Sequence, residues 1–214
     1  MDIILNDIEA RVLGCLLEKS MTTPDYYPLS LHALTTACNQ KSNRHPVVNF
    51  EETTVVRGLD GLKEKRLVVQ SDSSRVPKYE EIFVRSHNFV SREASIFMVL
   101  LLRGPQTLGE LRSRTERAYR FSGTEEVEST VEELIDSGYV MKLPRLPGLK
   151  EHRYAHLLAG EPEIEISVPR QESATFEVRS ENEKLEKLIA EVGLLRAELT
   201  SLKEDFIRFK NEFE

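Results

Sequence analysis

The chain has 214 residues, of which 40% are hydrophobic and 30% charged, the make-up of an ordinary globular protein with one or two cores. Its longest apolar run, Ile96 to Leu102, falls far short of the roughly 20 residues of a membrane helix, and Met1 to Asp7 lack the basic stretch and cleavage site of a secretory signal. The net charge of −7 disfavours indiscriminate nucleic-acid binding, yet residues 161–214 hold 8 basic against 14 acidic side chains, so the first 160 residues are near neutral.

In chain order, Asn6 and Glu9 form a capping box that opens a first helix, with Leu5, Ile8, Val12 and Leu16 on one face. Cys15 and Cys38 fall in helical apolar patterns and read as core thiols, not a disulfide, which points to a reducing compartment and the cytoplasm. Ser30 opens a second helix. The polar run Asn39, Gln40, Lys41, Ser42, Asn43, Arg44 and His45 follows as a loop with its side chains expected to be exposed. Asn49 with Glu52 predicts the start of a third helix, on which Thr54 and Arg57 sit. A β-type run at Leu67–Gln70, a turn-rich stretch from Ser71 to Pro77 and a second strand containing Tyr79 complete the unit.

The same order then recurs. Glu9 to Leu17 aligns with Glu93 to Leu101, Ser30 to Leu34 with Thr107 to Leu111, and Val55 to Val68 with Val127 to Val140, at offsets shrinking from 84 to 77 to 72. Thr107 with Glu110 and Ser122 with Glu125 are the expected helix starts of the second copy, and its hairpin strands are Tyr139–Leu143 and a segment around Tyr154. Three helices and a hairpin, twice, predict a mainly α (α+β) chain of two tandem winged-helix domains, at 1–88 and 89–160. A linker at 161–177 and a C-terminal coiled-coil helix at 178–214 follow.

The stretches Glu9 to Glu18, Thr22 to Pro24, Tyr27 to Ser30, Thr36 to Arg44 with Pro46 and Val47, and Leu101 to Arg112 resemble the YceH-like family of bacterial proteins. The resemblance spans roughly residues 4–160. It implies a tandem winged-helix fold and assigns no activity.

From Val178 a heptad runs to the end of the chain. Its a positions include Leu185, Val192, Leu199 and Phe206, and its d positions Leu188, Leu195, Leu202 and Phe209. Glu191 with Arg196, Glu198 with Lys203 and Asp205 with Lys210 are opposite in sign at the g and e positions of a parallel pair. The pattern predicts a parallel homodimer. Packing of this seam on the chain's own globular part, a higher oligomer and a heteromeric partner are the alternatives.

No phosphate-cradling glycine loop, nucleophile elbow or metal motif is present, so no cofactor and no enzymatic activity are expected. His152 and His156 have i, i+4 spacing but lie in a strand, where that spacing does not converge on one ion. Two functional classes remain. DNA could be bound through the first domain, by Asn39, Gln40, Lys41, Asn43, Arg44, His45, Thr54 and Arg57, residue types suited to base edges and phosphates. The acidic third helix of the second copy, Glu125 to Asp136, favours instead a protein-interaction adaptor, like the tandem winged-helix subunits of chromosome-condensation complexes. A second basic group, Arg112, Arg114, Arg117 and Arg120, either pairs with that acidic helix or is free for a partner.

Overall fold

The computed structural model describes residues 3–71, 75–145 and 151–161, all within one compact unit, Met1–Ile166. The unit is mixed α+β. Helix α1 (Asp7–Thr22) starts at the Asn6–Glu9 box, where each side chain accepts from the other's backbone N–H at 2.9 Å. A reciprocal cap of this kind satisfies two N–H groups that a helix start leaves unpaired, and each cap stabilises the helix by about 1 kcal/mol. Strand β1 (Leu29–Ser30) leads into α2 (Leu31–Cys38), whose first turn donates from Ala33 N to Ser30 Oγ. Helix α3 (Glu52–Glu64) is followed by β2 (Val68–Ser71) and β3 (Lys78–Glu81).

A single-turn helix α4 (Phe83–Ser86) connects to the second copy, made of α5 (Ser91–Arg103), α6 (Leu108–Thr115), α7 (Thr124–Asp136), β4 (Val140–Lys142) and β5 (Tyr154–His156). The Thr107–Glu110 box opens α6 as the sequence indicates. Gly104, at φ +70°, ends α5 in a conformation that a side chain would strain.

Two helix starts differ from the sequence-based expectation, each for a visible reason. Asn49 does not cap α3, because Phe50 is pinned in extended chain by Asn39, which accepts from Phe50 N at 2.7 Å and donates to Phe50 O at 2.8 Å. The helix begins only after Glu51. Ser122 does not box with Glu125. Its N–H and hydroxyl both donate to Glu126, so Gly123 becomes the residue before the helix.

The sheets hold a feature the sequence did not reveal. The first sheet has the antiparallel order β1-β3-β2, with Tyr79 of β3 facing both Leu29 and Gln70. In the second copy β4 pairs with β5, and Gln106 exchanges both backbone hydrogen bonds with Tyr154, at 2.8 and 3.0 Å. Each copy thus places a short segment from between its first two helices against its last strand. Two residues, or one, are too few to leave an alternating pattern.

One continuous hydrophobic cluster fills both copies, from Leu5 and Leu13 through Phe83 and Phe97 to Leu134 and Leu158. Helices α1 and α5 meet closely at Gly14, where an added Cβ would stand 2.9 Å from Leu102 Cδ2 and 3.0 Å from Leu101 Cβ. Backbone bonds also cross between the copies, from Leu5 N to Leu158 O at 2.6 Å and from His45 N to Leu102 O at 2.8 Å. Cys15 and Cys38 are buried free thiols. Burial pushes His156 down to about 4, so its ring is neutral near pH 7. Among the described residues no cluster of His, Cys, Asp and Glu is placed to hold a metal ion, and no helix is long and apolar enough to cross a membrane. The heptads at 178–214 lie outside the described residues.

Candidate functional site

The loop from Asn39 to His45 is built around Arg44, whose side chain is completely buried. This corrects the expectation of an exposed, partner-seeking arginine. Its guanidinium donates to Glu18 Oε1 and Oε2 at 3.1 and 2.7 Å, to Ala37 O from two nitrogens, to Asn43 O and to Gln40 Oε1. Every arm of the planar fork is used, the arrangement for which arginine suits a buried carboxylate better than lysine. Burial alone would raise the Glu18 carboxyl. The hydrogen bonds and charge of Arg44, helped by Lys19, overcome that and hold it below the usual carboxylate range.

Three other polar residues of the loop are engaged as well. Asn39 clasps Phe50, Gln40 accepts from Arg44, and Asn43 Oδ1 accepts from Arg103 at the end of α5. Asn43 sits at φ +62°, a left-handed conformation that asparagine adopts more readily than most residues. Lys41 and the His45 side chain remain exposed. On α3, Arg57 is exposed and Thr54 half-buried, with Glu52, Asp60 and Glu64 exposed along the same helix. The eight residues singled out from sequence thus do not form one binding face: four of them hold the loop together.

What the loop does border is a basic groove of about 830 Å³, between the end of α1, the loop, the end of α5 and the end of α6. Lys19, Lys41, Arg103, Arg114 and Arg117 line it, against the carboxylates of Glu18 and Glu116. Lys19 pairs with Glu18 at 3.2 Å and Arg114 with Glu110 at 3.5 Å. Among the described residues Lys41, Arg103 and Arg117 form no ion pair. Burial, then the charges of Arg114 and Arg44, press the Arg103 guanidinium below its usual value. Like charges crowded in a concavity favour an anion there. The floor is apolar, formed by Met98, Val99 and Leu102 of α5. Across α6 a second hollow of about 370 Å³ adds Arg112 and Arg120, so the basic surface continues past the groove.

The acidic helix does not absorb these arginines. The ion pair observed on α7 joins Glu133 to Arg92 of α5 at 2.8 Å, while Glu125, Glu128, Glu132 and Asp136 face solvent. Reading the sequence segment by segment missed the groove because its cations come from four separate stretches. The clustered arginines after Leu111 were the one available signal.

Comparison with known proteins places this geometry in a family. The family model described as "Protein of unknown function, DUF480" matches residues 5–149, which include the whole Arg44 clasp and every groove residue. The chain belongs to the DUF480 family. Relatives share more than the matched segment. A UPF0502 protein of Geobacter sulfurreducens is 52% identical over the full length of both chains, and one of Solibacter usitatus is 49% identical over the same share. A UPF0502 protein of Vibrio atlanticus is 48% identical over 95% of this chain and 97% of its own. The YceH-like resemblance of the sequence agrees with this membership in DUF480.

Proposed function

We propose that this protein is a non-enzymatic, dimeric tandem winged-helix protein that binds duplex DNA through phosphate contacts along the basic groove. The topology supports the winged-helix reading: in both copies a short strand between the first two helices pairs with the last strand of the hairpin. The site, however, is not the usual one. A third helix enters the major groove in the common docking mode, and here α7 is acidic while α3 exposes Glu52, Asp60 and Glu64 around Arg57. The observation that carries the proposal is the gathering of five cations in one concave surface, three of which form no ion pair among the described residues.

This arrangement positions DNA without reading its sequence. Phosphate contacts fix register and carry no base information, and of the amides that could meet base edges Asn39 is clasped to Phe50 while the side-chain oxygens of Gln40 and Asn43 already accept from Arg44 and Arg103. Affinity is therefore expected to be similar for unrelated duplexes and to fall with salt. At a slope of about −0.9 per phosphate neutralised, the three unpaired cations give a log–log slope of about −2.7. Fluorescence anisotropy on mixed genomic fragments at two salt concentrations measures this. Lys41→Glu with Arg117→Glu should weaken binding at least about tenfold, and Glu132→Lys should leave it unchanged or stronger. Loss of affinity on Glu132→Lys would place the contact on α7 instead.

A protein-interaction adaptor is the second reading, favoured by the solvated carboxylates of α7. It gains if the Lys41/Arg117 reversal leaves DNA affinity unchanged. In both readings the heptads from Val178 to Phe213 join two copies. Light scattering is expected to give a dimer for the full chain and a monomer for a truncation after Gln171. A monomeric full chain, or a truncation that stays dimeric, excludes that assembly.

A further inference from the structure

We infer that residues 162–166, which lie outside the described residues, dock Ile164 and Ile166 into an apolar groove at the joint between the two copies. This groove has a volume of about 480 Å³ and shares no lining residue with the basic one. The first copy supplies Ile8, Pro46, Val48 and Phe50, and the second supplies Gly104 and Ala159. These side chains are not sealed in the core. Ile8, Val48 and Phe50 are half-buried, Pro46 and Ala159 are exposed, and Val47, between two of the lining residues, is 56% exposed. Of the ionisable groups at the groove, Asp7 and His45 are exposed, Arg11 donates to Cys38 O and Pro46 O, and His156 is neutral near pH 7.

The course of the chain points to the occupant. Ala159 lines the groove, Gly160 bends the backbone at φ +84° and donates to Leu157 O, and Glu161 is the last described residue. Pro162, Glu163, Ile164, Glu165 and Ile166 come next. Acidic and apolar residues alternate there, so an extended chain turns both isoleucines to one side and both glutamates to the other. At roughly 3.4 Å per residue, Ile164 can stand up to about 10 Å from Glu161 and Ile166 up to about 17 Å, which brings both within reach of the groove. A separate partner is a poorer match. A stable two-chain interface needs about 800 Å² on each side, far more than this groove presents. A segment tethered two residues away has an effective concentration on the order of millimolar, so a small apolar contact suffices. Docked in this way, the segment is a strap that touches both copies beside their Leu5–Leu158 and His45–Leu102 backbone bonds.

The chain contains no tryptophan, so a single introduced one reports on its own surroundings. In the full-length protein, Ile164→Trp and Ile166→Trp are expected to emit to the blue of Glu165→Trp and to resist quenching by acrylamide. Adding Val48→Asp should return their emission to that of Glu165→Trp. Ile164→Asp with Ile166→Asp should raise the fluorescence of the dye anilinonaphthalene sulfonate about twofold or more, with the far-ultraviolet circular dichroism kept. Equal emission from the three tryptophan variants, or a blue shift indifferent to Val48→Asp, overturns the inference. Unchanged dye fluorescence in the double aspartate variant does the same. A blue shift that is lost on dilution gives the groove to a second copy of the chain and overturns the strap.

Discussion

Replacing Arg44 by alanine is expected to destabilise the protein by about 3–5 kcal/mol, the range for removing one partner of a buried ion pair. For a chain of this size that is roughly 10 °C in melting temperature. The effect is large because the loss is not one contact. Glu18, largely buried, is left with only Lys19 beside it, Ala37 O at the end of α2 loses two donors, and Gln40 and Asn43 lose the centre that organises the loop. Arg44→Lys should recover only part of the loss, since an ammonium cannot span both Glu18 oxygens and the carbonyls behind them. DNA binding per folded molecule should change less than stability does. A variant with native melting temperature would mean that Arg44 does not anchor the loop.

The pair also sets a pH dependence. The Glu18 carboxyl is held below its ordinary range in the folded chain, so the folded state binds this proton less readily than the unfolded state. Its contribution is fully present above the ordinary carboxylate range and is lost as pH falls through and below it. The stability difference between the natural protein and Glu18→Gln is therefore expected to shrink below about pH 4. A gap that is constant from pH 7 to pH 3 would show that Glu18 titrates normally.

Gly14→Val is the second large effect. A glycine inside a helix costs about 0.5–1 kcal/mol relative to alanine, so its presence in α1 requires a compensating close approach. That approach is to α5, where Leu102 Cδ2 and Leu101 Cβ already sit at the limit of contact with a built Cβ. Both leucines are buried in the shared core and have little room to turn. A branched side chain should separate α1 from α5 at a cost of about 3 kcal/mol. Gly14→Val combined with Leu102→Ala should restore part of the stability, because the truncated leucine vacates the space the valine needs. Failure of that rescue would locate the damage in α1 itself.

Features set by neighbours in sequence were readable in advance. The Asn6–Glu9 and Thr107–Glu110 boxes each need only four residues, and both stand where the pattern indicates. The strands holding Tyr79 and Tyr154 stand where the turn-rich stretches before them indicate. Helix α1, in contrast, is buried on every side from Glu9 to Leu17 and not only on the face of Val12 and Leu16, because α5 packs against it at Gly14. What depends on distant partners was not. Arg44 stands among Lys, Ser and Asn, and nothing nearby reveals that Glu18, 26 residues away, will draw it inside. Asn39 looks like a loop solvator until Phe50 is found in its clasp, and that clasp is also what moves the start of α3. The groove requires four segments to be folded before it exists.

The crossing of α1 and α5 makes the two halves depend on each other. With the first helices of the two halves interlocked at Gly14, and Leu5 and His45 bonded to Leu158 and Leu102, neither half has a complete exterior of its own. A gene fragment cut near residue 88 would carry an apolar helix face with nothing to cover it, the kind of surface that leads to aggregation. The solvated faces of α3 and α7 differ in charge, yet the two halves cannot be traded singly as interchangeable parts.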